Sequence, residues 1–407
     1  MQDHDLIPHL FRTEYSKIVA VLAGQFGLDQ IEVAEDIVSE TFVAAMETWP
    51  YRGIPEQPTA WLYRVAKNRA LNQLKQHKLF DRKIAVHLKS ECKEEGLDID
   101  LSEQNIRDSQ LQMLFAVCHP SISAESQIAL ALRILCGFGI EEIADAFLTN
   151  RETINKRLFR AKEKLRSGEV ELTMPDDAEI PKRLEPVLKT VYLLFNEGYY
   201  SERSESVIRK DLCLEAMRLN FLLLENPGTN LHQTNALMSL MCFQSSRLEA
   251  RVGDGGEMVL YQDQDPSLWN AELIARGNYY LQKAAEWPMV SGYFLEASIA
   301  FWHTKQEDSS EKWEHILYLY NHLLSLSYSP IAALNRTYAL ARVRGNAFAI
   351  QEAEKLGLGQ NHFYHMLLAE LYSSQDKTKS KDHLQLAYAL CKTETERKLI
   401  EKKLNVV

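Results

Sequence analysis

No stretch of this 407-residue sequence approaches the roughly 20 apolar residues that a membrane-spanning helix needs, so no such helix is expected. The first residues, Asp3 and Asp5 among them, lack the basic-then-apolar order of a secretory leader, so none is expected. Cysteine is sparse and scattered. Cys92, Cys118, Cys136, Cys213, Cys242 and Cys391 form no CxxC pair and no Cys/His cluster at zinc spacing. The simplest reading is a reduced, cytoplasmic protein without a structural metal. GxxxxGK, GxSxG and HExxH motifs are all missing, and no Ser/His/Asp arrangement can be assembled, so nothing points to an enzyme or to a cofactor. Strand signals are nearly missing too. Apolar residues recur at helical spacing almost throughout, which predicts an all-α fold.

The remaining composition is that of a globular protein, 46% hydrophobic and 25% charged, and the length allows two or three domains with sizeable cores. A net charge of −10 argues, as an average, against nucleic-acid binding. Its distribution says otherwise. Residues 61–83 hold seven Lys/Arg against Asp81 alone, and residues 151–166 hold seven against Glu152 and Glu163. Between them, residues 84–108 carry seven acids and three bases with little apolar periodicity, as a linker would. Three helical blocks follow: 1–83, 109–168 after the acidic linker 84–108, and 169–407, the last entered through a second linker from Gly168 to Pro181.

In the first block, Glu32, Asp36, Glu40 and Glu47 fall on one face of a helix predicted from Ile31 to Thr48, with no Lys or Arg inside it. A solvated face is the simpler reading of that spacing; a docking surface for a basic partner is the sharper one. From Trp61 to Gln76, Arg64, Asn68, Asn72 and Lys75 share a stripe of a second helix, started by Pro58 and Thr59. Cations neutralise phosphates and an amide can pair with a base edge, so this stripe suits DNA as well as solvent.

Residues 140–166 read as a short helix, a turn and a longer basic helix. Ile140, Ile143, Ala144 and Phe147 make the inner face of the first, and Asn150 is positioned to cap the second. Ile154, Leu158, Ala161 and Leu165 repeat at helical spacing and should pack inward. The outer face then presents Glu152, Asn155, Lys156, Phe159 and Arg160, with Arg151 leading. This is the layout of a helix-turn-helix whose second helix enters a major groove, although an ordinary helical hairpin has the same periodicity.

The segments AEDIVSETFVAA (Ala34 to Ala45), WLYRVAKNRALN (Trp61 to Asn72) and EIADAFLTNRETINKRLFRAKEKLR (Glu142 to Arg166) resemble, in order and spacing, the motifs of bacterial extracytoplasmic-function (ECF) sigma factors of the sigma-70 family. The resemblance implies a region 2 bundle over 1–83 and a region 4 helix-turn-helix over 109–168. It implies that Asp36, Glu40 and Phe42 dock on the β′ clamp helices of core RNA polymerase, and that region 4 meets the β flap. It also implies that Arg64, Asn68, Asn72 and Lys75 contact the promoter's minus-ten element. Arg151, Asn155, Lys156 and Arg160 would then read the minus-35 element, and the linker would thread toward the RNA exit channel. The loop Tyr51 to Pro58 is where such factors capture an unstacked base. Asn72 stands where many members have Asp, and Leu148 where many have Gly.

Residues 169–407 exceed a minimal ECF factor. LEASIAFW (from Leu295), LNRTYALA (from Leu334) and MLLAELYS (from Met366) share a small-residue pattern at offsets of 39 and 32 residues. These offsets bracket the tetratricopeptide (TPR) period of about 34, with Ala300, Ala339 and Ala369 as close-packing positions and Gly345 at a turn. LLFNEGYY (Leu193 to Tyr200), RKDLCLEAMRL (Arg209 to Leu219), the DQD of Asp263 to Asp265 and SPIAALNR (Ser329 to Arg336) resemble the C-terminal extension of one ECF subgroup. A TPR-like block of this kind should regulate activity or bind a protein or small-ligand partner. Asp263 with Asp265, and His362 with His365, could be read as metal ligands, but a helix start and packing residues are the better readings. The expected function is an alternative sigma factor, with no metal, no cofactor and no catalysis of its own. The competing reading is a helix-turn-helix regulator with a TPR sensor that never joins polymerase.

Overall fold

The computed structural model describes residues 6–85, 98–147, 149–168, 170–199, 209–253, 259–391 and 394–405, without the side chains of 77–85, 394 and 395. Among them every regular element is a helix and no strand occurs. The chain divides into two compact units, Met1–Thr190 and Val191–Val407.

In the first unit, α1 (Leu6–Phe26) buries Tyr15, Ile18, Val19, Leu22 and Phe26, a helical repeat that packs on α2 (Ile31–Arg52), α3 (Pro58–Ala85) and α4 (Glu103–Val117). Gly27, at φ +89°, turns the chain between α1 and α2 in a conformation that other residues rarely adopt. α2 runs past the predicted Thr48 to Arg52, carrying Pro50 in its last turn, and Gly53 ends it by donating to the Trp49 carbonyl. α3 opens on Pro58, whose fixed φ suits a first helical position. α4 starts at Glu103, inside the predicted linker, because the Ser102 hydroxyl caps it by accepting from the Asn105 amide.

α5 (Ala124–Leu130) continues as one π-helical turn, Ala131–Leu135. The hairpin of α6 (Ile140–Ala146) and α7 (Arg151–Arg166) follows. The Asn150 side chain accepts from the Thr153 amide at 2.7 Å, and Ile154, Leu158, Ala161 and Leu165 are buried, as the spacing predicts. Ile143 and Ala144 are buried under the hairpin, while Ile140 and Phe147 are half-buried. Leu148 lies outside the described residues; beside it the Thr149 amide closes the turn onto the Ala144 carbonyl.

α8 (Ile180–Tyr199) follows the irregular segment where a linker was predicted. Its first half belongs to the first unit. Arg183 donates to the Phe115 carbonyl at 3.1 Å, and the Thr190 hydroxyl donates to Gln127 Oε1 at 3.0 Å.

The second unit continues with α9 (Lys210–Glu225), α10 (His232–Ser245) and α11 (Ala271–Ala285). α10 and α11 approach so closely that a Cβ on Gly277 would meet the Phe243 ring at 2.6 Å. Then come α12 (Gly292–His303), α13 (Ser310–Leu326), α14 (Pro330–Arg344), α15 (Asn346–Glu354), α16 (His362–Tyr372), α17 (Lys377–Leu390) and α18 (Glu394–Leu404). α12 packs on α10 as well as on α13, and from α13 onward each helix packs chiefly on its sequence neighbours. The core is accordingly a succession of small clusters: one around Trp313 and Ile316, one around Ile350 and Leu368, one around Leu384 and Ile400. Ala300, Ala339 and Ala369 are all buried, and Gly345 joins α14 to α15 at φ +88°.

Candidate functional site

Three surfaces of the first unit carry the residues singled out in the sequence. On α2, Glu32, Asp36, Glu40 and Glu47 are exposed along one side. A shallow groove of about 300 Å³ runs there, lined by Asp36, Ser39, Glu40, Val43, Ala44, Glu47 and Arg69. Val43 and Met46 stand exposed beside the carboxylates, so the face offers apolar contact as well as charge. The stripe is partly paired from other helices: Arg69 of α3 bonds to Glu40, and Arg166 of α7 bonds to Glu32. Asp36 and Glu47 have no ion-pair partner among the described residues.

Phe42 does not share this surface. It is 3% exposed and packs edge-on to Phe11, with ring centroids 5.0 Å apart. A direct contact from Phe42 to a partner, as the resemblance implied, is therefore corrected to a role in seating α2 on α1. The aromatic ring sits where the helix repeat points inward, and an apolar core is its favourable environment.

Glu35, one step off the acidic stripe, was missed by the sequence reading. It is 5% exposed and is met by Lys162 at 2.5 Å, Arg133 at 3.2 Å and the Tyr15 hydroxyl at 3.5 Å. Burial, and then the neighbouring Glu35 carboxylate, push the Tyr15 phenol above its ordinary range. The signal was available: between Ala34 and Val38 the residue faces the helix border, and a buried carboxylate needs partners. With Arg12–Glu142 at 2.7 Å, these contacts tie the helix-turn-helix to the α1–α2 pair.

On α3, Arg64, Asn68, Asn72 and Lys75 are all exposed on one face, opposite the buried Leu62, Ala66 and Ala70. Trp61 packs edge-on to Trp49 and anchors the start of this helix on α2. Lys67, off that stripe, meets Asp98 of the linker at 2.5 Å, holding that carboxyl below its usual range. In the last turn of α2, Tyr51 is 89% exposed, and Ile54, between α2 and α3, also faces solvent.

On α7, Arg151, Asn155, Lys156 and Arg160 are exposed together, with Phe159 among them. Arg151 meets Glu141 at 3.1 Å and Lys156 meets Glu152 at 2.6 Å, both solvent-facing pairs of small energetic worth. Asn155 and Arg160 have no side-chain partner among the described residues. The helix is thus divided: its leading half is open, while Lys162 and Arg166 in its trailing half are held by the acids of α2.

Of the residues weighed as metal ligands, the second unit places Asp265, His362 and His365 in structural contacts. Asp265 caps a short helical turn by accepting from the Ser267 amide at 2.8 Å. His362 meets Glu396 at 3.1 Å, and His365 lies between His383 and the Gly359 carbonyl. Among the described residues, no group of three or more His, Cys, Asp or Glu side chains could hold a metal ion, and no helix is long and apolar enough to cross a membrane.

Comparison with known proteins adds three family matches. Residues 10–80 match the family described as Sigma-70 region 2, and residues 112–165 match Sigma-70, region 4. Residues 183–285 match a family of unknown function, DUF6596. An uncharacterised protein of Rhizobium meliloti (strain 1021), R00370, is 33% identical over 342 residues, covering 83% of this chain and 81% of that protein. No solved structure matches the chain significantly.

Proposed function

The chain belongs to the sigma-70 family as an ECF-type factor with a C-terminal extension, and from that premise we propose how its surfaces divide the work of transcription initiation. As a sigma factor it engages core RNA polymerase and promoter DNA through regions 2 and 4. We assign docking on the β′ clamp helices to the α2 face at Asp36 and Glu40, seated by Phe42. Arg64, Asn68, Asn72 and Lys75 take the minus-ten element, with Tyr51 and Ile54 beside the site where a base leaves the stack. Arg151, Asn155, Lys156 and Arg160 take the minus-35 element, and region 4 meets the β flap. Members of the family are non-enzymatic regulators, and the bond-forming chemistry here belongs to the polymerase.

The observation that carries this reading is the acidic groove on α2, with Asp36 unpaired among the described residues and apolar Val43 beside it. A regulator that never joins polymerase has no use for it. The test is transcription from a matching promoter by purified protein and core polymerase. Charge reversal at Asp36 and Glu40 should abolish both the transcript and co-purification with polymerase; unchanged co-purification would favour the free regulator.

Promoter elements centred about ten and 35 base pairs upstream lie about 85 Å apart at ~3.4 Å per pair. Regions 2 and 4 in side-chain contact cannot span that distance, so the Glu32 and Glu35 contacts to α7 must open on the promoter. For the extension we propose TPR-like helical hairpins that regulate activity or receive a partner. Support comes from neighbour-on-neighbour packing, the buried Ala300, Ala339 and Ala369, and the left-handed Gly345 between α14 and α15.

A further inference from the structure

Within the second unit, residues far apart in sequence gather around Tyr261. Arg247 lies just past α10, Trp269 just before α11, His303 ends α12 and Lys312 is in the first turn of α13. The Arg247 guanidinium lies over the Tyr261 ring at 5.2 Å and the Lys312 ammonium at 5.3 Å. Lys312 also donates to the Tyr261 oxygen at 2.9 Å, and the Tyr261 hydroxyl donates to the His303 carbonyl at 2.9 Å. His303 meets the ring edge-on at 4.7 Å, and Trp269 stacks at 6.4 Å.

Among the described residues the cluster holds more positive charge than negative. Its carboxylate, Asp308, is occupied by Trp313 Nε1 at 2.5 Å and by Arg342. Arg247 is 9% exposed, yet its guanidinium has no hydrogen-bond or ion-pair partner among the described residues, and its Nε is fully enclosed. Trp269 Nε1 and His303 Nδ1 are likewise enclosed without partners. Burial, with Arg247 and Lys312 nearby, pushes the His303 imidazole down to about 3, so the ring is neutral and can present a single N–H. An unmet buried donor costs about 1–3 kcal/mol, so the enclosed Nε of Arg247 favours an acceptor beside it.

We propose that this cluster is an oxyanion-binding seat, taking a small ligand with a carboxylate or phosphoryl group, with Arg247 as its charge partner and Trp269 and His303 as flanking donors. Guanidinium forks suit such groups by bidentate pairing, and an indole N–H adds a directional donor beside them. The inference deepens the reading of the extension as a partner-binding block. Its test needs no polymerase, so its failure leaves the sigma assignment untouched.

The test is calorimetric titration of the full chain with inorganic phosphate and, separately, with succinate, at constant ionic strength against sodium chloride. Saturable one-site binding of phosphate alone identifies a phosphoryl seat, of succinate alone a carboxylate seat. Arg247→Gln should weaken it about tenfold or more, the loss of one charge-assisted hydrogen bond. Trp269→Phe keeps the ring and removes the N–H, and should weaken binding by a smaller factor. If Arg247→Gln does not fold, Arg247→Lys and Trp269→Phe carry the comparison. Overturning results are no saturable binding of either anion up to about 10 mM, or equal affinity in the folded variants and the parent; Arg247 would then serve only as a cation–π brace for Tyr261.

Discussion

Glu35→Gln should release region 4 from region 2. The carboxylate is 5% exposed and faces Lys162, whose side chain is 14% exposed, and Arg133, at 24%. Removing one partner of a fully buried pair costs about 3–5 kcal/mol, because the remaining charges are left uncompensated. Partial exposure of both cations brings that to about 2 kcal/mol, or about 30-fold in the balance between closed and open arrangements. Lys162 and Arg166 would then be free for phosphate. The assay is fluorescence anisotropy of the free protein on a labelled duplex at fixed salt, with hydrogen exchange of the α7 amides alongside. Glu47→Gln serves as control, since it removes the same charge from the same helix without breaking an ion pair. The expected result is DNA affinity rising about tenfold or more over the control, with faster exchange along α7. Equal affinity in Glu35→Gln and Glu47→Gln, with unchanged exchange, would refute the reasoning.

Glu296 is half-buried, accepts from the Tyr192 hydroxyl at 2.9 Å, and desolvation raises its carboxyl to about 7. Its folded value lies above its unfolded one, so its stabilising effect is full below about pH 4.5 and falls away as pH rises through 7, by about 3 kcal/mol in all. Urea unfolding at pH 5.5 and 8 should show about 2 kcal/mol of that fall, and Glu296→Gln should flatten it. Gly277→Ala drives a methyl into the Phe243 ring and should destabilise the second unit by about 1–3 kcal/mol, read as a lower denaturation midpoint. Truncation should follow Tyr199 rather than Gly168, since a cut at 168 removes Arg183 and Thr190 from α4 and α5. A Tyr199 truncation should remain folded by circular dichroism and change promoter-dependent transcription; unaltered transcription would remove the regulatory role of the extension.

Periodicity revealed what each helix does alone. The buried set of Ile154, Leu158, Ala161 and Leu165, the Asn150 cap and the exposed row from Arg64 to Lys75 all follow from one helix at a time. What it could not supply were pairings across helices. Glu40 reads as unpaired on its own helix, yet Arg69 arrives from α3; Glu32 and Glu35 meet cations more than a hundred residues away. Phe42 illustrates the opposite error, in which a motif residue adjoining a surface is itself core. The gathering around Tyr261 was equally hidden, because loops of unrelated length bring Arg247, His303 and Lys312 together.

The succession of small cores from α12 to α18 has a mechanical consequence. A domain with one central core resists bending as a block, whereas a row of cores, each shared among three successive helices, flexes at every joint and can lose its last helices without melting the first. Force applied near α18 would spread along the row as many slight rotations. The extension is then built less like a lever than like a spring, whose stiffness can be set locally, one joint at a time.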